Sequence, residues 1–364
     1  MGTLFEQTVK NISELDWVAM EAAQLRLDSF FKPPHSLGKL EDIAVQLAGI
    51  QGSLYGTCGK KVHVVFCSDN GVLAEGVSPQ VKDVTKIVAE QMLDGHAAIA
   101  VLCRHSGIDL RVVDMGIAGA INGGYDNFLD RKISHGTANI AQGPAMTMEE
   151  CMKAVETGIM IANDLARSDY ELFSCGEMGK GNTTTSSAIL YAITKAPINS
   201  CVGRGSAADD SQIENKKRVV MQAVQKNQPD ASNPLDVLAR LGGFDIAAMV
   251  GFYLGSAANK KPIILDGFIS AVSALVACII QPDVRGYVLP SHLSREPGMK
   301  IIYDMLGLEA ILNLNMNLGE GTGAALAHHI VEASVKIIRE MKTVQELGLD
   351  SFLTVAKSIP FKNP

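Results

Sequence analysis

The sequence predicts an α/β protein built on a mostly parallel sheet with helices on both faces. Two observations carry this. Short β-rich runs alternate with longer helical patterns, the order that successive βαβ units produce. Each strand candidate also runs straight into a polar or glycine-rich segment, which gathers chemistry at one edge of the sheet. No internal repeat, low-complexity tract or long Pro/Gly-rich linker divides the 364 residues.

The elements follow in order. Residues 62–67 (Val-His-Val-Val-Phe-Cys) form the first predicted strand, ending at Ser68-Asp69-Asn70-Gly71. A helical pattern covers 84–105. Residues 110–113 give a second strand, ending at Asp114-Met115-Gly116. Residues 148–167 are helical, and Thr147 with Glu150 makes a capping box, a hydroxyl followed three residues later by a glutamate. Residues 172–175 form a strand that ends at Gly176-Glu177-Met178-Gly179, and a helix over 182–193 follows. Residues 234–258 are helical, and 263–265 form a strand ending at Asp266-Gly267. The longest apolar run, 268–280, is too short to cross a bilayer and rich in small residues, so it is a buried core helix and no membrane segment is expected. Residues 287–289 give a last strand, ending at Pro290-Ser291-His292, and a helix over 324–341 follows.

Any single Asp-Gly after a strand is ordinary turn chemistry. Five strand ends carrying Asp, Glu, Ser or His together point to one polar cleft, because open parallel sheets bind ligands beyond the carboxyl ends of their strands. Composition narrows the partners. With 47% hydrophobic and 20% charged residues the chain can build a core and is not disordered. A net charge of −7 and no dense Lys/Arg run argue against nucleic acid. Seven scattered cysteines, an odd number with no CxxC pair, fit reduced thiols in a cytoplasmic protein. The polar opening Gly2-Thr3-Leu4-Phe5-Glu6-Gln7 argues against a secretory leader.

The densest motif is Gly176-Glu177-Met178-Gly179-Lys180-Gly181-Asn182-Thr183-Thr184-Thr185. Its glycines let backbone N–H groups turn toward a ligand, and the helix N-terminus favours negative charge, which is how a protein holds a phosphate. It is neither a Walker A loop nor a dinucleotide fingerprint, since Gly181 follows Lys180 and the glycine spacing differs from both. Gly319-Glu320-Gly321-Thr322-Gly323 precedes a long apolar helix. Glu320 is either a favourable N-terminal helix charge or, if the loop faces the cleft, a general base. Ile213-Glu214-Asn215-Lys216-Lys217 sets cations at a helix start, against the dipole, where a lysine reaching an anion is one explanation and a solvated lysine the other. His328-His329 has no third ligand at metal spacing, so no metal is expected.

In this arrangement the chain resembles the nicotinate-nucleotide:dimethylbenzimidazole phosphoribosyltransferases. The resemblance runs from Lys32-Pro33-Pro34-His35-Ser36-Leu37-Gly38 through Asp69-Asn70-Gly71, Glu75-Gly76-Val77-Ser78, the Gly176–Thr184 loop, Gly242-Gly243-Phe244-Asp245 and Asp266-Gly267-Phe268 to the Gly319–Gly323 loop, all in family order. It implies a three-layer α/β/α fold with a Rossmann-like sheet over 61–334 and a small helical subdomain from both chain ends, 1–60 and 335–364. The implied reaction moves the phosphoribosyl group of nicotinate mononucleotide to an aromatic acceptor in cobamide assembly, giving an α-riboside phosphate and nicotinate, with no cofactor. Glu320 falls on the family's general base and Glu177 on its second active-site glutamate. Gly176, Met178, Gly179, Gly181, Asn182, Thr183, Lys216, Ser291, Gly319 and Gly321 fall on nucleotide and phosphate contacts, and Ser78, Val88 and Asn317 on acceptor contacts.

The chain departs from the family pattern at His35, where many members have glycine, and at Asn317, where an arginine is usual. Lys180 and Leu293 also differ. One branch of the family transfers phenol or p-cresol and works as a heterodimer. The departures leave the acceptor open between dimethylbenzimidazole and a phenol, and the assembly open between a homodimer and a heterodimer in which this chain is the non-catalytic subunit.

Overall fold

The structure, a computed structural model, describes residues 2–79, 81, 83–207 and 209–349. The final part of the expected helical subdomain, 350–364, lies outside the described residues. Six strands make one sheet: β1 (Lys61–Ser68), β2 (Asp109–Gly116), β3 (Phe128–Asp130), β4 (Leu172–Met178), β5 (Ile263–Ile264) and β6 (Val288–Leu289). Their order is β3-β2-β1-β4-β5-β6, and every neighbouring pair is parallel. The chain therefore winds outward from β1 in one direction, returns, and winds outward from β4 in the other. The crevice between β1 and β4 is the topological switch point of a doubly wound sheet.

β1 is buried along its whole length, which explains why its interior is apolar except for His63. Helix Phe244–Ala258 crosses the sheet, and Phe252 packs edge-on to Phe66 of β1 (5.7 Å) and stacks on Phe173 of β4 (5.6 Å). The capping box at Thr147 is formed as expected, and the apolar run Phe268–Ile280 is a buried helix. Two expected helices are each broken. The stretch 84–105 divides into Val84–Leu93 and Ala98–Ser106, and 234–258 divides into Pro234–Leu241 and Phe244–Ala258. The second break, at Gly242-Gly243, puts Asp245 on the first turn of a helix aimed at the switch point. β3 escapes the sequence pattern because it is a three-residue edge strand with no buried residue. Tyr287, expected in the last strand, ends the short helix Val284–Tyr287 instead. Helix Asp210–Asn227 begins at the N-cap Asp209, so Lys216 lies in its second turn and the apparent clash of cations with the helix start disappears.

The chain divides into two compact units. The sheet unit comprises residues 1–13 and 59–327, so the opening helix Leu4–Asn11 belongs to it. Among the described residues the other comprises 14–58 and 328–349. In this second unit Ala23, Leu27, Phe30, Ala44, Ala48 and Ile338 form a small core, and the Arg26 guanidinium lies 5.3 Å from the rings of both Phe30 and Tyr55. Among the described residues no helix is long and apolar enough to cross a membrane.

Candidate active site

A cavity of about 470 Å³ opens beyond the carboxyl ends of β4, β5 and β6, beside the switch point. Each of these strands delivers one polar residue to its wall: Glu177 from β4, Asp266 after β5 and His292 after β6. The ends of the other two predicted strands serve the loops. Asp69, after β1, accepts from the Thr85 hydroxyl (2.6 Å) and the Ala118 N–H (2.8 Å). Asp114, in β2, accepts from the Ile117 N–H and pairs with Lys132, both at 2.8 Å.

The glycine-rich turn after β4 feeds helix Asn182–Thr194 through Gly181, whose φ is +92°. Asn182 donates one amide hydrogen to Glu177 and the other to Asp245 Oδ2, the latter at 2.9 Å. Its side chain thus ties two carboxylates together and does not project into the cavity as a free donor. Thr183 Oγ1 accepts from the Lys216 ammonium at 2.9 Å. Lys216 is buried, and burial holds it down to about 8, with Glu296 opposing that shift. Gly205 covers this pair with backbone alone; a Cβ there would meet Thr183 Oγ1 at 2.7 Å and Lys216 Nζ at 3.0 Å.

Gly319, Glu320 and Gly321 all adopt positive φ (+84°, +63° and +91°). For Glu320 this left-handed backbone costs about 1–2 kcal/mol, so the surroundings must enforce it. They do so closely. A Cβ on Gly176 would lie 2.3 Å from the Glu320 carbonyl oxygen, and one on Gly321 would lie 1.9 Å from the His63 ring. Asp266 Oδ1 accepts from the N–H groups of Gly323 (2.9 Å) and Ala324 (3.0 Å), fixing the first turn of helix Thr322–Glu340. The Glu320 carboxylate accepts from the Ile99 N–H at 3.3 Å.

Four carboxylates therefore meet around the cavity: Glu177, Asp245, Asp266 and Glu320. Burial, joined by the charges of Asp245, Asp266 and Glu320, pushes Glu177 well above the usual carboxylate range. Burial lifts Asp245 to about 6, against its bond from Asn182. Glu320 is also raised by burial, but the Ile99 N–H favours its charged form. The two glutamates are thereby differentiated: burial and three neighbouring carboxylates raise Glu177, while Glu320 is raised mainly by burial and is held toward its charged form by the Ile99 N–H.

Of the residues singled out in the sequence, Glu177, Met178, Gly179, Gly181, Asn182, Thr183, Asn317, Gly319, Glu320 and Val88 line the cavity. Gly176, Lys216, Gly321, Ser78 and Ser291 stand one layer behind. Ser78 reaches the wall through Lys180 (2.9 Å) and Ser206 (2.7 Å), and the Ser291 hydroxyl faces the Asp266 carbonyl at 3.4 Å. Asp245 and His63 are not among the candidate residues read from the sequence. Asp245 follows a glycine pair that breaks a helix. His63 is a lone imidazole in an otherwise apolar strand, a pattern that more often marks a satisfied core residue.

A model of the family described as phosphoribosyltransferase matches residues 12–349. The nicotinate-nucleotide–dimethylbenzimidazole phosphoribosyltransferase of Acetivibrio thermocellus is 45% identical over 346 residues, covering 95% of this chain and 98% of the relative. That of Ruminiclostridium cellulolyticum is 46% identical over 348 residues, with 96% and 98% covered. Among solved structures, CobT from Thermus thermophilus superposes with a TM-score of 0.87 at 37% identity, over 91% of this chain and 99% of that one.

Proposed function

The chain belongs to the nicotinate-nucleotide–dimethylbenzimidazole phosphoribosyltransferase family, and from that premise we propose that it moves the phosphoribosyl group of nicotinate mononucleotide to an aromatic acceptor in cobalamin-type biosynthesis. The observation that carries the reading is Glu320, a carboxylate held on a strained backbone at the cavity wall and poised to accept a proton.

The chemistry assigns a task to each group. The acceptor's attacking atom carries a proton that must leave as its bond to C1′ forms. Glu320 takes that proton, an effect typically worth ~10²- to 10⁴-fold. The bond from C1′ to the nicotinate nitrogen breaks, its electron pair leaves with nicotinate, and positive charge develops on the ribosyl carbon. A wall of carboxylates, Glu177 and Asp266 among them, favours that charge as it grows. The phosphate is the handle that positions C1′. Lys216, Thr183 and the Gly179–Gly181 turn form the cationic, donor-rich end suited to it.

The acceptor is an aromatic base of the dimethylbenzimidazole class or a phenol. The hydrogen-bonded group Lys180, Ser78 and Ser206 supplies a cation and hydroxyls that a phenolic oxygen would need. We take the working form to be a dimer. The test is to incubate the purified chain with nicotinate mononucleotide and, separately, dimethylbenzimidazole, adenine, phenol and p-cresol, measuring nicotinate release and riboside phosphate. Acceptor-dependent release by the chain alone supports the reading. Release only with a paralogous subunit present would make it the non-catalytic partner.

A further inference from the structure

We propose that His63 is a positioning residue that aims Glu320 through its backbone; the proposal rests on the reading of Glu320 as the base. His63 lies on β1 directly opposite Ser174 on β4, so both side chains point to one face of the sheet. Its ring is fully buried, with Nδ1 2.8 Å from the Ser174 hydroxyl and Nε2 3.0 Å from the Glu320 carbonyl oxygen.

These contacts fix the tautomer. A carbonyl can only accept, so the ring proton sits on Nε2 and donates to Glu320. Nδ1 then offers a lone pair to the Ser174 O–H at 2.8 Å, a shorter contact than that hydroxyl's other acceptor, the Val62 carbonyl at 3.3 Å. The ring remains neutral throughout, because burial holds it down to about 4.

The bond lands where the backbone is most strained. Glu320 is a non-glycine residue with φ of +63° between two glycines that also have positive φ. Its peptide is clamped on one side by the His63 ring and on the other by the bare Cα of Gly176. A flip of that peptide would turn the carbonyl off His63 and redirect the side chain from the cavity. An apolar ring here would leave the buried Glu320 carbonyl without its donor and the Ser174 hydroxyl without Nδ1. The imidazole supplies one thing an apolar ring cannot, a donor to that carbonyl.

The test is a double-mutant cycle of H63F and E320Q, with H63Q as the rescue. H63F keeps an aromatic ring, larger by one ring atom, and removes the donor, whereas the H63Q amide can still donate. H63F should lower kcat about ten- to a hundredfold, in line with the cost of misplacing a reacting group, with KM for nicotinate mononucleotide changed less than about threefold. H63Q should recover most of that loss. In the E320Q background H63F should have little further effect, because the group it aims is gone. Additive losses with E320Q itself slow would overturn the positioning role and leave the base assignment standing. An E320Q enzyme as fast as wild type would overturn both. A loss confined to KM, or H63F turnover equal to wild type, would also sink the proposal. If H63F does not fold, ¹⁵N NMR of the wild-type imidazole decides: Nε2 should carry the proton from about pH 6 to about pH 8, and an Nδ1–H tautomer would contradict the hydrogen bond on which the role depends.

Discussion

The Lys216 ammonium lies 2.9 Å from the Thr183 hydroxyl, and glycine at position 205 leaves the pair without a side-chain cover on the cavity side. An anion entering there would meet a buried cation and the first turn of helix Asn182–Thr194 together.

Lys216→Ala should therefore weaken nicotinate mononucleotide binding about ten- to a hundredfold, since a charge-assisted hydrogen bond is worth roughly 1.5–3 kcal/mol. The loss should shrink for the dephosphorylated nucleoside. Calorimetric titration of both proteins with both ligands checks this, and equal losses for the two ligands would show that Lys216 does not meet the phosphate.

The same lysine predicts a pH dependence. Burial lowers it to about 8 in the empty site, so it is charged below that and neutral above. Nucleotide affinity should fall as pH rises through that region, with the midpoint moved upward by the bound phosphate. Binding measured from about pH 7 to about pH 9.5 should show the fall in wild type and not in Lys216→Ala.

Glu320→Gln keeps the side chain's size and removes its basicity. Transfer should drop by ~10²-fold or more with nucleotide affinity nearly unchanged. In wild type the rate should rise with pH on the acid side and then level off. The rise should sit above the ordinary carboxylate range, because burial raises Glu320. Stopped-time assays across the acid range check both points, and a flat wild-type profile would argue against a titrating base.

Asp245 should cost the fold stability as pH rises. Its carboxyl is lifted from 3.8 to about 6, so between those values the native state holds a proton that the unfolded chain has released. Stability is full below the lower value and declines through the upper one, by roughly 3 kcal/mol in all. Asp245→Asn escapes this decline. In urea unfolding the variant should gain on wild type between about pH 4 and about pH 7; a variant that lost ground to wild type over this range would mean that the ionised carboxylate is the favoured form.

Gly176→Ala should be severe and Gly143→Ala harmless. A Cβ at 176 would sit 2.3 Å from the Glu320 carbonyl oxygen, whereas one at 143 would meet nothing within 4 Å. Overpacking of this kind costs ~1–3 kcal/mol. At position 176 it would also displace the Glu320 peptide, so activity should fall further than thermal stability.

Much of the sheet was legible because its central strands are buried on both faces and are therefore dominated by apolar and β-branched residues, as in Val62–Cys67 of β1. β3 was not, because an exposed edge of three residues carries no such run. The breaks at 94–97 and 242–243 carry their own signals, Asp94-Gly95 and Gly242-Gly243, and fall between apolar stretches long enough to be read as one helix. At the site, loops announced themselves through glycine spacing, which reflects close backbone approach. Asp245 sits in the Gly242–Asp245 segment, but nothing local marks its carboxylate as part of the site, and His63 gave no signal at all. Their significance lies in partners distant along the chain, Asn182 for one and Ser174 with Glu320 for the other.

The parallel winding also divides the molecule into two edges with different tolerances. The strands' carboxyl ends hold the cavity, while the opposite edge carries turnarounds such as Gly107, Asp169 and Lys260, all exposed and all in the left-handed conformation. The chain could be lengthened, tagged or cut at these turns without touching a residue of the cavity wall. New segments grafted there would ride on the enzyme as cargo, leaving its chemistry on the far rim undisturbed.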